Sequence, residues 1–246
     1  MSTIPYSKRI PQWIKDYAVA NNMKSLVIGI SGGIDSSVVS TLCAETGLPV
    51  HAVSMPIRQI REQNDLSQDH GMWLANKYSN VTHHTILLDS LFNSFVQSMP
   101  TNSLSDHALA NTKSRLRMVT LYQIAGSHKG LVVGTGNKVE DFGVGFYTKY
   151  GDGGVDISPI ADLMKSEVWQ LGKDLSILQT IIDAPPTDGL WEDGRTDKDQ
   201  LGGLTYEQME RAMDLDDKGA IAIGSDQDLL KKYHEVRKLN LHKMNP

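Results

Sequence analysis

Ser25-Leu26-Val27-Ile28-Gly29-Ile30-Ser31-Gly32-Gly33-Ile34-Asp35-Ser36-Ser37 is the stretch on which the fold turns. Its first six residues form a short apolar run ending among glycines, the pattern of a strand buried on both faces. From Asp35 to residue 45 the pattern becomes helical, and Gly47 with Pro49 closes the helix. A turn of this kind between strand and helix exposes several backbone N–H groups at a helix N-terminus, where an anion is stabilised. Gly32 and Gly33 let the backbone approach a phosphate without interference from a Cβ. Ser31, Ser36 and Ser37 add short hydroxyl donors. The turn therefore has the make-up of a phosphate cradle; the plainer alternative is a helix cap built from Ser and Asp.

Further along the chain, residues 50–55 and 81–88 have the pattern of strands, and residues 62–78 of a helix. A long helical stretch covers 108–125, and Gly130-Leu131-Val132-Val133-Gly134 gives a fourth strand. His83 and His84 fall on one strand, where neighbours point to opposite faces, so the pair is a poor metal site. Strands alternating with helices predict an α/β fold, a doubly wound and mainly parallel sheet with helices on both faces. No repeat or linker divides the chain, so residues 1–246 are expected to form a single domain. Residues 184–203, rich in Pro, Gly and Asp, are expected to be a long active-site loop.

Composition narrows the function. The 246 residues carry 24 Lys+Arg against 29 Asp+Glu, a net charge of −5, which argues against a protein that coats nucleic acid or anionic lipid. No apolar run approaches the roughly 20 residues of a membrane-spanning helix, and the first residues lack the apolar core of a signal peptide. The single cysteine, Cys43, excludes an internal disulfide or a multi-Cys zinc site; it sits among apolar helix residues as a core position. A cytoplasmic protein is expected.

The glycine turn is not a Walker A loop, because the Gly-Lys-Ser/Thr ending is missing, nor a dinucleotide fingerprint. Gly29-Ile30-Ser31-Gly32-Gly33 does fit the letters of a nucleophile elbow. Asp183 and His234 could follow it in triad order, so a serine hydrolase is one rival reading. The more specific likeness is that Ser31-Gly32-Gly33-Ile34-Asp35-Ser36 resembles the SGGxDS pyrophosphate loop of the N-type ATP pyrophosphatase superfamily. Asn111-Thr112-Lys113-Ser114-Arg115-Leu116-Arg117-Met118 resembles the N-x-x-A-R-x-R-M helix of NAD synthetases, with Ser114 in place of Ala. The runs Gly134-Thr135-Gly136-Asn137-Lys138-Val139-Glu140 and Phe146-Tyr147-Thr148-Lys149-Tyr150-Gly151-Asp152-Gly153-Gly154-Val155-Asp156-Ile157-Ser158-Pro159 are similar to that family's G-T-x-N-x-x-E … F-x-T-K-Y-G-D-G-x-x-D-I-x-P signature.

The resemblance to ammonia-dependent NAD synthetases implies a ligase that converts deamido-NAD to NAD through an NAD-adenylate, releasing AMP and pyrophosphate. It implies an adenine nucleotide alpha hydrolase-like fold, ATP as co-substrate and Mg²⁺ as cofactor. Asp35 and Glu140 match the magnesium carboxylates, and Asp35 and Lys165 the catalytic pair. Gly29, Ile30, Ser31, Gly32, Gly33, Ile34, Asp35, Ser36, Thr135, Lys165 and Thr187 match the ATP-binding positions. Arg115, Lys149, Asp156, His242 and Lys243 match those that bind deamido-NAD. The resemblance also implies a homodimer without nucleic-acid or membrane partners and, with no room for a glutaminase domain, ammonia as the nitrogen source. A tRNA-modifying pyrophosphatase is the second rival; the acidic balance and the lack of cysteine pairs count against it. Around Thr187, Pro185-Pro186-Thr187-Asp188-Gly189-Leu190-Trp191 departs from the usual P-S/T-A-x-L pattern through Asp188.

Overall fold

The computed structural model describes residues 4–59, 61–191, 193–219 and 222–244. After a first helix, α1 (Tyr6–Ala20), the chain alternates β1 (Ser25–Ile30), α2 (Ile34–Glu45), β2 (Val50–Ser54), α3 (Arg61–Lys77) and β3 (Val81–Thr85). Helices α4 (Asp89–Ser98) and α5 (Asp106–His128) then lead to β4 (Gly130–Val132). The strands form one sheet in the order β3-β2-β1-β4, and every pairing is parallel. Strand β3 stops three residues short of the expected end at 88, because its partner β2 ends at Ser54 and Pro56 has no N–H to extend the ladder.

Alternation along β1 sends Leu26, Ile28 and Ile30 into one core with Val38, Val39 and Leu42 of α2, and Val27 into another with Phe92 and Ala125 from α4 and α5. The sheet is thus covered on both faces, as doubly wound sheets require. Each such fully buried aliphatic contributes about 1.5–3 kcal/mol. Cys43 is buried in the first of these cores, as expected.

The strand order has a consequence for function. From β1 the chain builds outward through β2 and β3, then returns to place β4 on the other side of β1. A crevice opens at such a switch point, beyond the carboxyl ends of the strands. The glycine turn follows β1 and Thr135 follows β4, so both reach this crevice.

Beyond β4 a π-helical turn (Lys138–Val144) leads to α6 (Lys165–Asp174), α7 (Gln179–Ile182), α8 (Asp197–Gln200), α9 (Tyr206–Asp217) and α10 (Ser225–Met244). Val139, Val144, Leu201, Leu204, Tyr206, Met209 and Tyr233 pack here as a further core. Residues 184–203 are not the unbroken loop that their composition predicts. Thr196 caps the one-turn helix α8, its hydroxyl accepting from Asp199 N–H while Asp199 Oδ2 accepts from Thr196 N–H, and Leu201 is buried in that core. Glu192 lies outside the described residues.

Candidate active site

The crevice is a cleft of about 520 Å³, within the range of small-molecule and cofactor sites. Its floor is the loop 29–36. Gly32 has φ +89°, a conformation that costs a side-chain-bearing residue dearly and glycine nothing. Ser31 Oγ lies 3.1 Å from Ser36 Oγ and accepts from Gly33 N–H, while the Ser36 and Ser37 hydroxyls donate to Gly33 C=O. These bonds hold the loop open at the N-terminus of α2, where the helix dipole favours an anion.

Beside the loop stands a buried lysine shared between two carboxylates. Lys165, at the start of α6 and 2% exposed, donates to Asp35 Oδ2 at 2.5 Å and to Glu140 Oε1 at 2.8 Å. A lysine is seldom so buried unless paired; here one ammonium is shared by two carboxylates. Asn137, fully buried, joins the pieces. Its Nδ2 donates to Asp35 Oδ1, and its Oδ1 accepts from the N–H groups of Val139 and Glu140, capping the π-helical turn. Such turns recur at functional sites.

The two carboxylates differ. Burial lifts Asp35 above the usual range, and Lys165 only partly offsets it. Glu140 is also pushed up by burial, but Lys165 and a hydrogen bond from Tyr206 outweigh that and leave it below its usual value. The Lys165 ammonium is desolvated, yet the two acids hold its pKa above normal. A third acid, Asp141, has its carboxyl where a side chain on Gly136 would stand; burial and then the charge of Glu140 lift it to about 8.

Residues 184–191 and 194–200 supply Pro186, Thr187, Asp188, Leu190, Trp191, Asp197 and Gln200 to the opposite wall. Lys113 Nζ donates to Leu190 C=O at 3.0 Å, and Trp191 Nε1 to Gln200 Oε1 at 2.8 Å. The Arg195 guanidinium lies 4.0 Å over the Trp191 ring. Thr187 faces the cleft, its hydroxyl donating to Arg195 C=O.

The cleft therefore brings together the whole 29–36 loop with Thr135, Glu140, Lys165, Thr187 and Lys243. Lys243 is also committed to the backbone, donating to the carbonyls of Gly145 and Tyr147 at 2.9 and 2.8 Å. Arg115, Lys149, Asp156 and His242 do not line the cleft. Arg115 Nε donates to Lys149 C=O, and Lys149 Nζ to His242 C=O at 3.5 Å. Asp156 accepts from Val132 N–H and from the Tyr122 hydroxyl. The hydrolase triad does not assemble: Asp183 accepts from Gln179, and His234 pairs with Asp216. Of the paired histidines, His83 bonds Ser54 and His84 bonds His51. Asn137, Asp141, Asp197 and Tyr206 were not singled out by sequence. Asn137 stood inside the quoted signature; Tyr206 carried only the signal of a residue following a capping Thr205.

A parallel sheet with a glycine-rich anion cradle at its switch point and a buried cation beside it defines an α/β nucleotide-binding protein of the adenine nucleotide alpha hydrolase-like class. The chain matches the NAD synthase family over residues 6–246 and belongs to it. It is 38% identical to the NH(3)-dependent NAD(+) synthetase of Thermoplasma acidophilum, over 90% of this chain and 88% of that one. Among solved structures it superposes on the NMN synthetase of Francisella tularensis with a TM-score of 0.85 at 32% identity, covering 98% of this chain and 95% of that one. The NAD+ synthetase of Burkholderia pseudomallei gives a TM-score of 0.73 at 26% identity, covering 96% and 89% of the two chains. Members of this family are ligases that form a carbon–nitrogen bond with ATP.

Proposed function

We propose that this protein amidates deamido-NAD to NAD with ammonia. ATP first adenylates the nicotinate carboxylate: its oxygen bonds to the α-phosphorus and pyrophosphate leaves. Ammonia then attacks the acyl carbon, AMP departs with the carboxylate oxygen, and the nitrogen gives up a proton. The observation that carries this reading is the convergence of the 29–36 loop with Lys165, Asp35 and Glu140 at one end of the sheet. The loop N–H groups and Lys165 receive the pyrophosphate charge, and Thr135 and Thr187 offer hydroxyls to ATP. The work is positioning and charge stabilisation.

Asp35 and Glu140 fit Mg²⁺, a hard ion that takes one or two carboxylates and completes its shell with phosphate oxygens and water. When bound there it would neutralise phosphate charge. Arg115, Lys149, Asp156, His242 and Lys243 are assigned to deamido-NAD, in a homodimer. Two observations support the pairing: four of these five stand outside the cleft of one chain, and the nearby helices α4 and α5 expose Leu91, Phe95 and Val119. We assign residues 1–246 to one catalytic unit acting in the cytoplasm.

Incubation with ATP, Mg²⁺, deamido-NAD and ammonium should yield NAD, AMP and pyrophosphate in equal amounts; no AMP release would overturn the assignment. The Francisella structure, an NMN synthetase, supports a second reading in which the acid is the mononucleotide deamido-NMN. The ratio of kcat/KM for the two acids decides between them.

A further inference from the structure

We infer that Asp197 is a positioning residue that acts through Tyr206, latching the 184–203 segment to Glu140 and thereby to Lys165. This rests on the reading of residues 184–203 as an active-site segment, which lines the cleft through Thr187, Asp188 and Asp197.

The Tyr206 hydroxyl lies 2.6 Å from Glu140 Oε1 and 2.8 Å from Asp197 Oδ2. A phenol has one proton to give, so two ionised carboxylates cannot both be served at these distances. Glu140 is already paired with Lys165 at 2.8 Å. The arrangement balances when Tyr206 donates to Glu140 and Asp197, carrying a proton on Oδ2, donates to the Tyr206 oxygen. An independent observation agrees: Asp197 is 5% exposed, and its Oδ1 is sealed from solvent without a hydrogen-bond partner. An unpartnered oxygen of a neutral carboxyl is far less costly to bury than one of a charged carboxylate.

Tyr206 is well held for this task. Its ring meets Trp169 edge-on at 5.8 Å, and the Lys165 ammonium lies 4.6 Å from its centroid. The groups that face Asp197 are Tyr206 on α9, Glu140 on the π-helical turn, Lys165 on α6 and Asp188 within its own segment. Burial first, and then the charge of Glu140, push its carboxyl up to about 7. The latch is thus made below neutrality and released above it, when the ionised Asp197 competes with Glu140 for a single proton.

Limited trypsin digestion of the ligand-free protein tests this at Arg195 and Lys198, with rates normalised to an unfolded substrate at each pH. At pH 6.5, Tyr206→Phe and Asp197→Ala should each be cut about 10-fold faster than the parent, the worth of one strong hydrogen bond. The double variant should be no faster than either single one. Asp197→Asn, whose amide donates to Tyr206 at any pH, should keep the slow rate from pH 6 to 8.5, while the parent accelerates several-fold across pH 7. Parallel pH profiles for the parent and Asp197→Asn, or multiplying effects of the two single variants, overturn the latch. If Tyr206→Phe does not fold, the comparison of the parent with Asp197→Asn decides alone. A parent segment cut as fast as unfolded chain at every pH overturns the latch. No substrate enters the assay, so its outcome is separate from that of the amidation test.

Discussion

The loop after β1 takes residues 29–36 from one continuous stretch, whereas the centre beside it draws Asp35, Asn137, Glu140, Lys165, Asp197 and Tyr206 from five separate elements. We assign phosphate charge to both, met by different means. The loop uses backbone N–H groups fixed by local hydrogen bonds and one left-handed glycine, so its form is nearly complete once β1 and α2 exist. The centre uses ionised and polar side chains largely withdrawn from water, and each is tolerable only because the others are in place. A contiguous site survives the loss of one donor; an assembled site fails as a unit.

Substitutions at the centre should therefore have the larger effects. Asp35→Asn is expected to lower kcat by roughly 10³-fold, the scale of losing a group placed at developing charge, while circular dichroism shows the fold retained. Turnover within 10-fold of the parent would remove Asp35 from the reaction. Lys165→Ala should cost about 3–5 kcal/mol in urea unfolding, because it leaves two largely buried carboxylates without their cation. A cost below 1 kcal/mol would mean that water replaces the ammonium.

A pH titration probes a separate cluster, the histidines of α3, β2 and β3. His70 is fully buried with Nε2 on Ser40 Oγ; burial, reinforced by His83, lowers its pKa to about 4. His51, His83 and His84 are also lowered, mainly by burial. The unfolded chain binds more protons than the folded one between these values and about 6.5, so stability is full above pH 6.5 and falls toward pH 4. His70 alone should account for roughly 3 kcal/mol of that loss, and urea midpoints of His70→Asn should show a correspondingly flatter pH dependence. The smallest effect is expected at Ser114, whose hydroxyl donates to Asp152 Oδ1 at 2.6 Å and accepts from Asp152 N–H at 2.9 Å. Ser114→Ala should cost about 1–2 kcal/mol, measured by the same unfolding; no change would mean that Asp152 finds another donor.

The same division explains what could be read from sequence. Strand β1, its glycine turn and α2 were legible because period, glycine chemistry and capping all act within a few residues. The 134–159 run was legible as a signature, Glu140 included. Lys165 illustrates the limit: in isolation it resembles any surface lysine, and only the fold puts its ammonium between Asp35 and Glu140. Asp197 and Tyr206 were not found, because neither periodicity nor composition reports a hydroxyl shared by two acids from distant elements. The 184–203 segment was recognised by its prolines and glycines, but these conceal the capped turn at 196–199 and the buried anchor Leu201.

Helix α10 holds the turn behind Glu140 through Arg237, which donates to the carbonyls of Phe142 and Gly143, and through Lys243 on Gly145 and Tyr147. For protein synthesis this imposes an order of events. The Lys243–Gly145 bond spans 98 residues, so on a ribosome adding about 5–20 residues per second the turn waits on the order of 5–20 s for its clamp. The sheet and phosphate loop can form during that interval, but the acidic wall is secured only when the last helix arrives. A nascent chain can thus possess the anion cradle well before it possesses the centre that makes the cradle productive.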